Sequence, residues 1–338
     1  MIKIDAKTLI TAPDIETFVK EFIPLYIKEV EAILNGAVVP DIDTSFECMG
    51  RRIRANIYCG KSGINMALRI LADKIPTSDE LKLPPSVKNL AEFPDGLVVI
   101  VGTAGSGKST TLASIINIIN HTKHVNIITI EDPIEYIYEE DKARIEQRDV
   151  KIHTPDFKEA VRGAMRQNPD VLLVGELRDL EAISSALTLA EAGNLVFCTL
   201  HAKSVPGTID RIIDVFPAES QEQIRVQLSS VLRGIVHQRL VPDLRGGRVP
   251  LTEILMVDNV VSGMIRQRQK SNSIRDHLRS QKLSGSVHLV DNVVWLCRNN
   301  NLSLESIKSI LSNDDYNLAK SILSNGKTGK LLFGGDSI

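Results

Sequence analysis

Aromatic residues and cysteines are both scarce in this sequence. Only 4% of its 338 residues are aromatic, with a single Trp, and its four cysteines form no Cys-x-x-Cys pair. Scattered cysteines provide neither a disulfide framework nor a zinc site, and they are typical of a reducing compartment. So few aromatic rings leave little surface on which the bases of single-stranded nucleic acids could stack. The composition therefore disfavours disulfide-rich secreted, zinc-binding and nucleic-acid-binding proteins.

Neither sign of charge dominates the chain, and long hydrophobic runs are missing. Lys and Arg number 40 against 42 Asp and Glu, which gives a net charge of −2. Such a chain has no global electrostatic reason to coat nucleic acid. No apolar run approaches the ~18 residues of a membrane-spanning helix, and residues 1–10 lack a signal-peptide pattern. We expect a cytoplasmic protein with no integral membrane segment.

Prolines mark the predicted domain organisation. The proline-rich stretch 76–96 is predicted to be a linker. Before it, helical spacing over residues 15–34 with a break at Pro24, and strands at 46–58 and 64–71, predict an α+β domain. The expected domains are an N-terminal domain 1–75, the linker 76–96, a core 97–257, a helical region 258–324 and a flexible Gly-rich tail 325–338.

The core alternates short apolar runs with amphipathic helices, which predicts an α/β fold. Runs of this kind are buried on both faces, as in a parallel sheet covered by helices. The predicted strands are 97–101, 126–130, 171–174 and 195–200. Helix starts are predicted at Thr154-Pro155, at Asp179 with Gly193 ending the helix, and at Ser220 with Gln223 as a capping box for a helix running through Ile235.

A complete phosphate-binding motif, G-x-x-x-x-G-K-[ST], lies between a predicted strand and a predicted helix. A glycine turn there directs backbone N–H groups at a polyphosphate, and the helix dipole adds positive charge. Lys108 is expected to reach the β- and γ-phosphates, and the Ser109 hydroxyl to bind Mg²⁺. The predicted nucleotide-binding residues are Gly102, Thr103, Ala104, Gly105, Ser106, Gly107, Lys108, Ser109 and Thr110.

Acidic groups and a histidine follow three other predicted strands. Residues 131–135 (EDPIE), residues 175–179 (GELRD) and His201 stand at these ends. Because the carboxyl ends of parallel strands share one edge, we expect these groups near the bound phosphates. Glu135 or Glu176 could orient or deprotonate water, while Mg²⁺ and an arginine from elsewhere neutralise charge.

The same segments resemble those of a known family. Residues 128–136 (ITIEDPIEY), 170–179 (DVLLVGELRD) and 195–217 are similar to the Asp box, Walker B segment and His box of the secretion and pilus ATPases. The type IV pilus retraction ATPases are particularly similar, over about residues 43 to 253. This resemblance implies a RecA-like P-loop ATPase core, a smaller PAS-like N-terminal α+β domain and a helical C-terminal region.

The resemblance also implies roles for individual residues. Glu135 would activate water, Glu176 would support Mg²⁺ and water, and His201 would sense the γ-phosphate. Arg54 and Arg69 would contribute charge from a mobile N-terminal domain or across a subunit boundary. The implied protein is a homohexameric ring that hydrolyses ATP with Mg²⁺ at the cytoplasmic face of the inner membrane. It would act on a pilus platform protein there to retract pili.

Two departures from the family pattern leave alternatives open. Asn194 stands where the first histidine of the His box is usual, and residues 260–266 do not reproduce the C-terminal element tied to retraction. An export ATPase of type IV secretion or conjugation, or a ring subunit that binds ATP without turnover, therefore remains possible. A DNA-handling RecA-like protein would need a binding surface that only the basic stretch 266–279 could supply.

Overall fold

The computed structural model describes residues 11–61, 63–177, 179–269, 271–280, 285–299 and 301–324. The chain forms two compact units. The first comprises residues 1–74 and 132–137, and the second comprises residues 75–131 and 138–338. The predicted flexible tail, 325–338, lies outside the described residues.

The first unit is an α+β domain with a three-stranded antiparallel sheet in the order β1-β2-β3. Val19, Val30 and Ile57 are fully buried in its core. A 3₁₀ turn, Pro24–Tyr26, separates the two helices, which confirms the predicted break at Pro24. The elements are α1 (Ala12–Phe22), α2 (Ile27–Leu34), β1 (Ile42–Cys48), β2 (Arg51–Gly60) and β3 (Gly63–Ile70).

The predicted single strand 46–58 is wrong, because a hairpin turn interrupts it. Met49 and Gly50, which join β1 to β2, both have positive φ, 51° and 68°. Two-residue hairpin turns with positive φ usually carry Asn-Gly or Asp-Gly. Because Met49 occupies the first position, the sequence carries no recognisable turn signal there.

The second unit contains a seven-stranded sheet in the order β10-β9-β4-β8-β7-β5-β6. Its strands are β4 (Gly96–Val101), β5 (Asn126–Glu131), β6 (Arg144–Asp149), β7 (Val171–Val174), β8 (Leu195–Leu200), β9 (Leu232–Pro242) and β10 (Arg248–Met256). Neighbouring strands are parallel except the β9–β10 hairpin. The four predicted strands are β4, β5, β7 and β8 at its centre, so the predicted parallel sheet is confirmed.

The helices of this unit begin with α3 (Ser86–Asn89), which lies within the stretch 76–96 and leads into the buried residues Leu90 and Ala91. The others are α4 (Lys108–Thr122), α5 (Phe157–Ala164), α6 (Leu180–Glu191), α7 (Val205–Asp214), α8 (Gln221–Val231), α9 (Asn259–Arg266), α10 (Ser271–Ser280), α11 (Leu289–Arg298) and α12 (Asn313–Ser324). One core joins the sheet to α5 through α10. No helix among the described residues is long and apolar enough to span a bilayer.

One predicted helix start is confirmed. The Asp179 carboxylate accepts the N–H of Ala182 at 2.8 Å and caps α6, while Gly193, with φ 97°, follows its end.

The two other predicted caps are wrong. Asp156, not Thr154, caps α5 by accepting the N–H of Glu159 at 2.8 Å, because Thr154 instead pairs with Val150 in a β-bridge. The Ser220 side chain makes no capping bond, since its own backbone is already helical. The helix after it ends at Val231, so Ile235 lies in β9.

Candidate functional site

The loop between β4 and α4 requires glycine at three positions. Gly102, Gly105 and Gly107 have φ values of 155°, 72° and 85°, which side-chain-bearing residues rarely adopt. A Cβ on Gly102 would lie 2.3 Å from the carbonyl oxygen of Gln238 on β9. At Gly102 the loop thus passes too close to β9 for any side chain.

Lys108 opens α4 and folds back over this loop. Its Nζ donates to the carbonyl oxygens of Gly102 at 3.1 Å and Thr103 at 3.0 Å. The N–H groups of the first turn of α4 have no partner within the helix, and they carry the positive end of its dipole. Ser109 and Thr110 are half-buried in this turn. Backbone donors, an ammonium and hydroxyls at one helix start are suited to bind a polyphosphate.

Gln238 is a residue of this site that the sequence does not reveal. Its Nε2 donates to the carbonyl of Ser106 at 2.7 Å, and its Oε1 accepts from the Thr111 hydroxyl at 2.8 Å. The side chain is 1% exposed. It therefore ties the loop and the start of α4 to β9. The contact depends on β9 lying beside β4, which no local motif indicates.

His201 links the loop to Glu176. Its Nδ1 lies 3.1 Å from the carbonyl oxygen of Gly102, and its Nε2 lies 3.0 Å from Oε1 of Glu176. Both partners are oxygen acceptors, so a ring that carries a proton on each nitrogen donates to both. The ends of β7 and β8 thus bring two predicted site residues to the phosphate loop.

Asn194 lies at the opposite end of β8 from His201. Its side-chain amide donates to the carbonyl of Pro169, and its own carbonyl oxygen accepts the N–H of Gly96 at 3.0 Å. Asn194, which replaces the first histidine of the His box, therefore lies at the amino end of β8, where its side chain binds the segment that precedes β7.

The remaining predicted residues lie in the first unit. Arg54 donates through Nε to Asp43 at 3.0 Å, and its Nη1 lies 3.5 Å from Oε1 of Glu135. The bond to Asp43 raises the pKa of Arg54, against an opposing effect of burial. Arg69 lies beside Arg54 in the β2–β3 register, is exposed, and contacts no charged or hydrogen-bonding partner among the described residues.

A cavity of about 460 Å³ adjoins the phosphate loop in the second unit. Two of its lining residues, Lys203 and Arg211, are cations, and none is a carboxylate. Its lining comprises Gly102, Thr103, His201, Ala202, Lys203, Ser204, Gly207 and Arg211. The open space beside the loop is therefore positively charged, as a phosphate-bearing ligand requires.

Comparison with known proteins identifies the class. The model of the family described as type II/IV secretion system protein matches residues 65–294. The chain is 44% identical to the type IV pilus retractation ATPase PilT of Pseudomonas aeruginosa, over 72% of this chain and 74% of that protein. It is 39% identical to a twitching motility protein of Neisseria gonorrhoeae, over 81% of this chain and 74% of that protein.

Solved structures show the same similarity. The crystal structure of the pilus retraction motor PilT with bound ADP superposes with a TM-score of 0.73 and 37% identity, covering 85% of this chain and 84% of that one. The ATPase DotB of Legionella pneumophila gives a TM-score of 0.76 at 26% identity, covering 95% of this chain and 86% of that one.

The chain belongs to the type II/IV secretion system protein family and is an ATP hydrolase. The resemblance predicted from its four motifs is confirmed, and so is the predicted fold class.

Proposed function

We propose that this chain is the motor ATPase of type IV pilus retraction, which couples ATP hydrolysis to pilin disassembly. The observation that carries the proposal is an intact phosphate loop, joined through His201 to Glu176, in a chain 44% identical to a retraction ATPase. An export ATPase is the alternative that the experiments below separate from it.

The phosphate loop supplies the binding half of the proposed reaction. Residues 102–110 would hold the triphosphate, with the Lys108 ammonium moving from the loop carbonyls to the β- and γ-phosphates. Mg²⁺ takes oxygen ligands and keeps several waters, so the Ser109 hydroxyl and the Glu176 carboxylate suit it. When bound, Mg²⁺ neutralises the phosphate charge that develops as the terminal bond breaks.

Two glutamates are proposed to handle water. Glu176 would orient water together with Mg²⁺, and His201 would respond to the γ-phosphate because it already touches the loop carbonyl of Gly102. Glu135, the proposed activator of water, is held by Arg54 in the first unit. Arg54 and Arg69 would supply positive charge in trans.

We place this motor in a homohexamer at the cytoplasmic face of the inner membrane, acting on a pilus platform protein. A P-loop site built from one subunit leaves one side of the γ-phosphate open, and arginines supplied in trans close such sites. The family similarity to retraction motors supports the assembly and its partner.

Two variants test the enzyme. Lys108→Ala should abolish hydrolysis and weaken nucleotide binding, whereas Glu176→Ala should keep nucleotide binding and lose turnover. Glu181→Ala removes an exposed glutamate that pairs with Lys158; it is the matched control and should hydrolyse ATP normally. Rates equal to wild type in both site variants would contradict the proposed site.

Gene deletion tests the biological role. Loss of the gene should give cells with excess pili that do not retract. Bald cells would instead indicate pilus assembly, and normal pili with a secretion defect would indicate an export ATPase. Either of these results would overturn the retraction proposal while leaving the ATPase assignment intact.

A further inference from the structure

A second polar cavity, of about 370 Å³, lies in the same unit, among the β9–β10 hairpin and helices α10 to α12. It is separate from the phosphate loop, although Lys203 and Ser204 line both cavities. Its volume falls at the small end of the range for ligand sites, which suits a compact polar ligand. Its lining carries more titratable groups than any other described cavity of this unit.

A buried histidine faces this cavity without a hydrogen-bond partner. His237 is 6% exposed, and its ring makes no hydrogen bond to any residue that the structure describes. Burial, together with the charge of Arg239, lowers the pKa of His237 to about 4, so the ring is neutral near pH 7. A neutral imidazole offers one donor and one acceptor. The two ring nitrogens are not among the fully buried, unpartnered polar atoms of the described residues, so they are open to the cavity and available to a ligand.

Three cations line the cavity without ion pairs. Arg239 is half-buried on β9, while Arg275 on α10 and Lys203 before α7 are exposed. None of the three forms a salt bridge among the described residues, although the charge of Arg275 acts on the Glu253 carboxyl. A partly buried guanidinium that lacks a partner favours an anion, and its planar fork matches phosphate oxygens.

Most of the carboxylates in the cavity are already engaged. Glu253 is buried, and burial raises its pKa, against the opposing effect of the nearby Arg275 charge. Asp315 binds Arg279 at 2.9 Å and the Ser312 hydroxyl at 2.7 Å. Among the described lining residues, this leaves three cations without a salt bridge beside the buried Glu253 and one exposed carboxylate, Asp314, at the start of α12.

We propose that this cavity is an anion site for a phosphate group, held by Arg239, Arg275 and Lys203 with a hydrogen bond from the ring of His237. The site does not depend on the function proposed above. Its ligand is a tetrahedral anion, either free inorganic phosphate or the phosphoryl end of a small ester. Because Gln238 follows His237 directly, an occupant would contact the strand that holds the phosphate loop.

Calorimetric titration of the full chain with inorganic phosphate tests the site. The Lys108→Ala variant is titrated as well, because it lacks the main anion-binding group of the phosphate loop. We expect Lys108→Ala to bind one phosphate per chain at this cavity, and wild type to contain the same site. Arg239→Gln and Arg275→Gln should each weaken this binding about tenfold or more, as loss of a charged hydrogen bond does.

The matched control is Arg248→Gln, an exposed arginine on the same hairpin that does not line the cavity. It should bind phosphate like wild type. Arg275 is exposed, so its variant tests the site even where Arg239→Gln fails to fold. Loss of all phosphate binding in Lys108→Ala, or equal weakening by Arg248→Gln, would overturn the proposal.

A parallel titration with glycerol 3-phosphate assigns the source of the anion. Binding as tight as that of inorganic phosphate, with the same loss in Arg275→Gln, supports the site and identifies a phosphoryl ester as an acceptable ligand. Binding of inorganic phosphate alone supports the site for the free ion. Failure of both ligands to bind contradicts the proposal, whatever the ATPase activity of the chain.

Discussion

The side chain of Gln238 connects β9, which is distant in sequence, to the phosphate loop. One amide group serves the carbonyl of Ser106 and the hydroxyl of Thr111 while it is shielded from water. Removing it would leave two buried polar groups unpaired, and such groups cost free energy because water cannot reach them. We therefore expect Gln238 to be a positioning residue for the proposed nucleotide site.

Gln238→Ala should weaken nucleotide binding about tenfold or more and lower the free energy of unfolding by about 2–3 kcal/mol. The physical reason is that the loop loses its link to β9. Nucleotide titration and urea denaturation measure the two effects.

Gln227→Ala is the control for this prediction, because Gln227 is half-buried, far from the phosphate loop in sequence, and its side chain bonds Glu191 at 2.7 Å at the surface. It should leave both quantities unchanged. Wild-type nucleotide affinity in Gln238→Ala would contradict the positioning role.

At the residue scale, the sequence predicts what is local. The phosphate loop has fixed spacing, and its glycines adopt the backbone that the motif implies. Glu176 and His201 lie side by side because they follow neighbouring parallel strands, as their positions indicate. Their catalytic roles stay predictions. Gln238 could not be predicted, because its partners lie more than a hundred residues away.

Among the elements, helix α6 illustrates a boundary that one side chain sets. Asp179 accepts the N–H of Ala182 and lies at the positive end of the helix dipole, which favours a negative charge. The helix then packs Ile183, Ala186 and Leu187 into the main core. Its first turn therefore depends on a single cap.

Asp179→Ala should lower the free energy of unfolding by about 1 kcal/mol, since one N–H of the first turn loses its acceptor. Urea denaturation measures the change. Glu181→Ala, in the same turn, removes an exposed ion pair and a negative charge near the helix dipole but no capping bond, and it should cost less. Equal losses in the two variants would show that general charge, not the cap, stabilises the helix.

Two strands, β9 and β6, are not predicted from the sequence, because their pairing with neighbouring strands determines their structure. The strand β9 follows α8 without a break, so the helical spacing of residues 224 to 235 continues into a strand. This segment is a strand because it pairs with β4, over residues 98–101, and with β10. The strand β6 is polar and forms the sheet edge, so no apolar run indicates it.

Across the whole molecule, buried histidines link stability to pH. Burial lowers the pKa of His237 and of His288 to about 4, with nearby arginines adding to the shift. An unfolded histidine titrates near 6.5, so the unfolded chain binds more protons between pH 6.5 and 4. Stability is therefore full above about pH 6.5 and falls as the pH drops through that window.

We expect each histidine to account for about 3 kcal/mol of lost unfolding free energy between pH 7 and 4. Denaturation curves at pH 7 and 5 should differ less in His237→Gln than in wild type. His124→Gln, an exposed histidine, should show the wild-type difference. An unchanged difference in His237→Gln would contradict the buried neutral ring.

The proposed ring makes a second prediction at this scale. If arginines from one subunit complete the site of another, the ATPase rate per chain should rise with chain concentration. Activity and light scattering measured over the same dilution series would check this. A constant rate per chain, at dilutions where only single chains scatter, would argue for a self-sufficient subunit.

The tie between β9 and the phosphate loop also has a consequence for how the protein is made. Gln238 is 132 residues beyond Ser106, its partner in the loop. At about 5–20 residues per second, a ribosome needs roughly 7 to 26 seconds to bridge that distance. Until then the nascent loop has its glycines and its lysine but lacks β9 and the Gln238 amide. We therefore expect the chain to become able to bind nucleotide only late in translation.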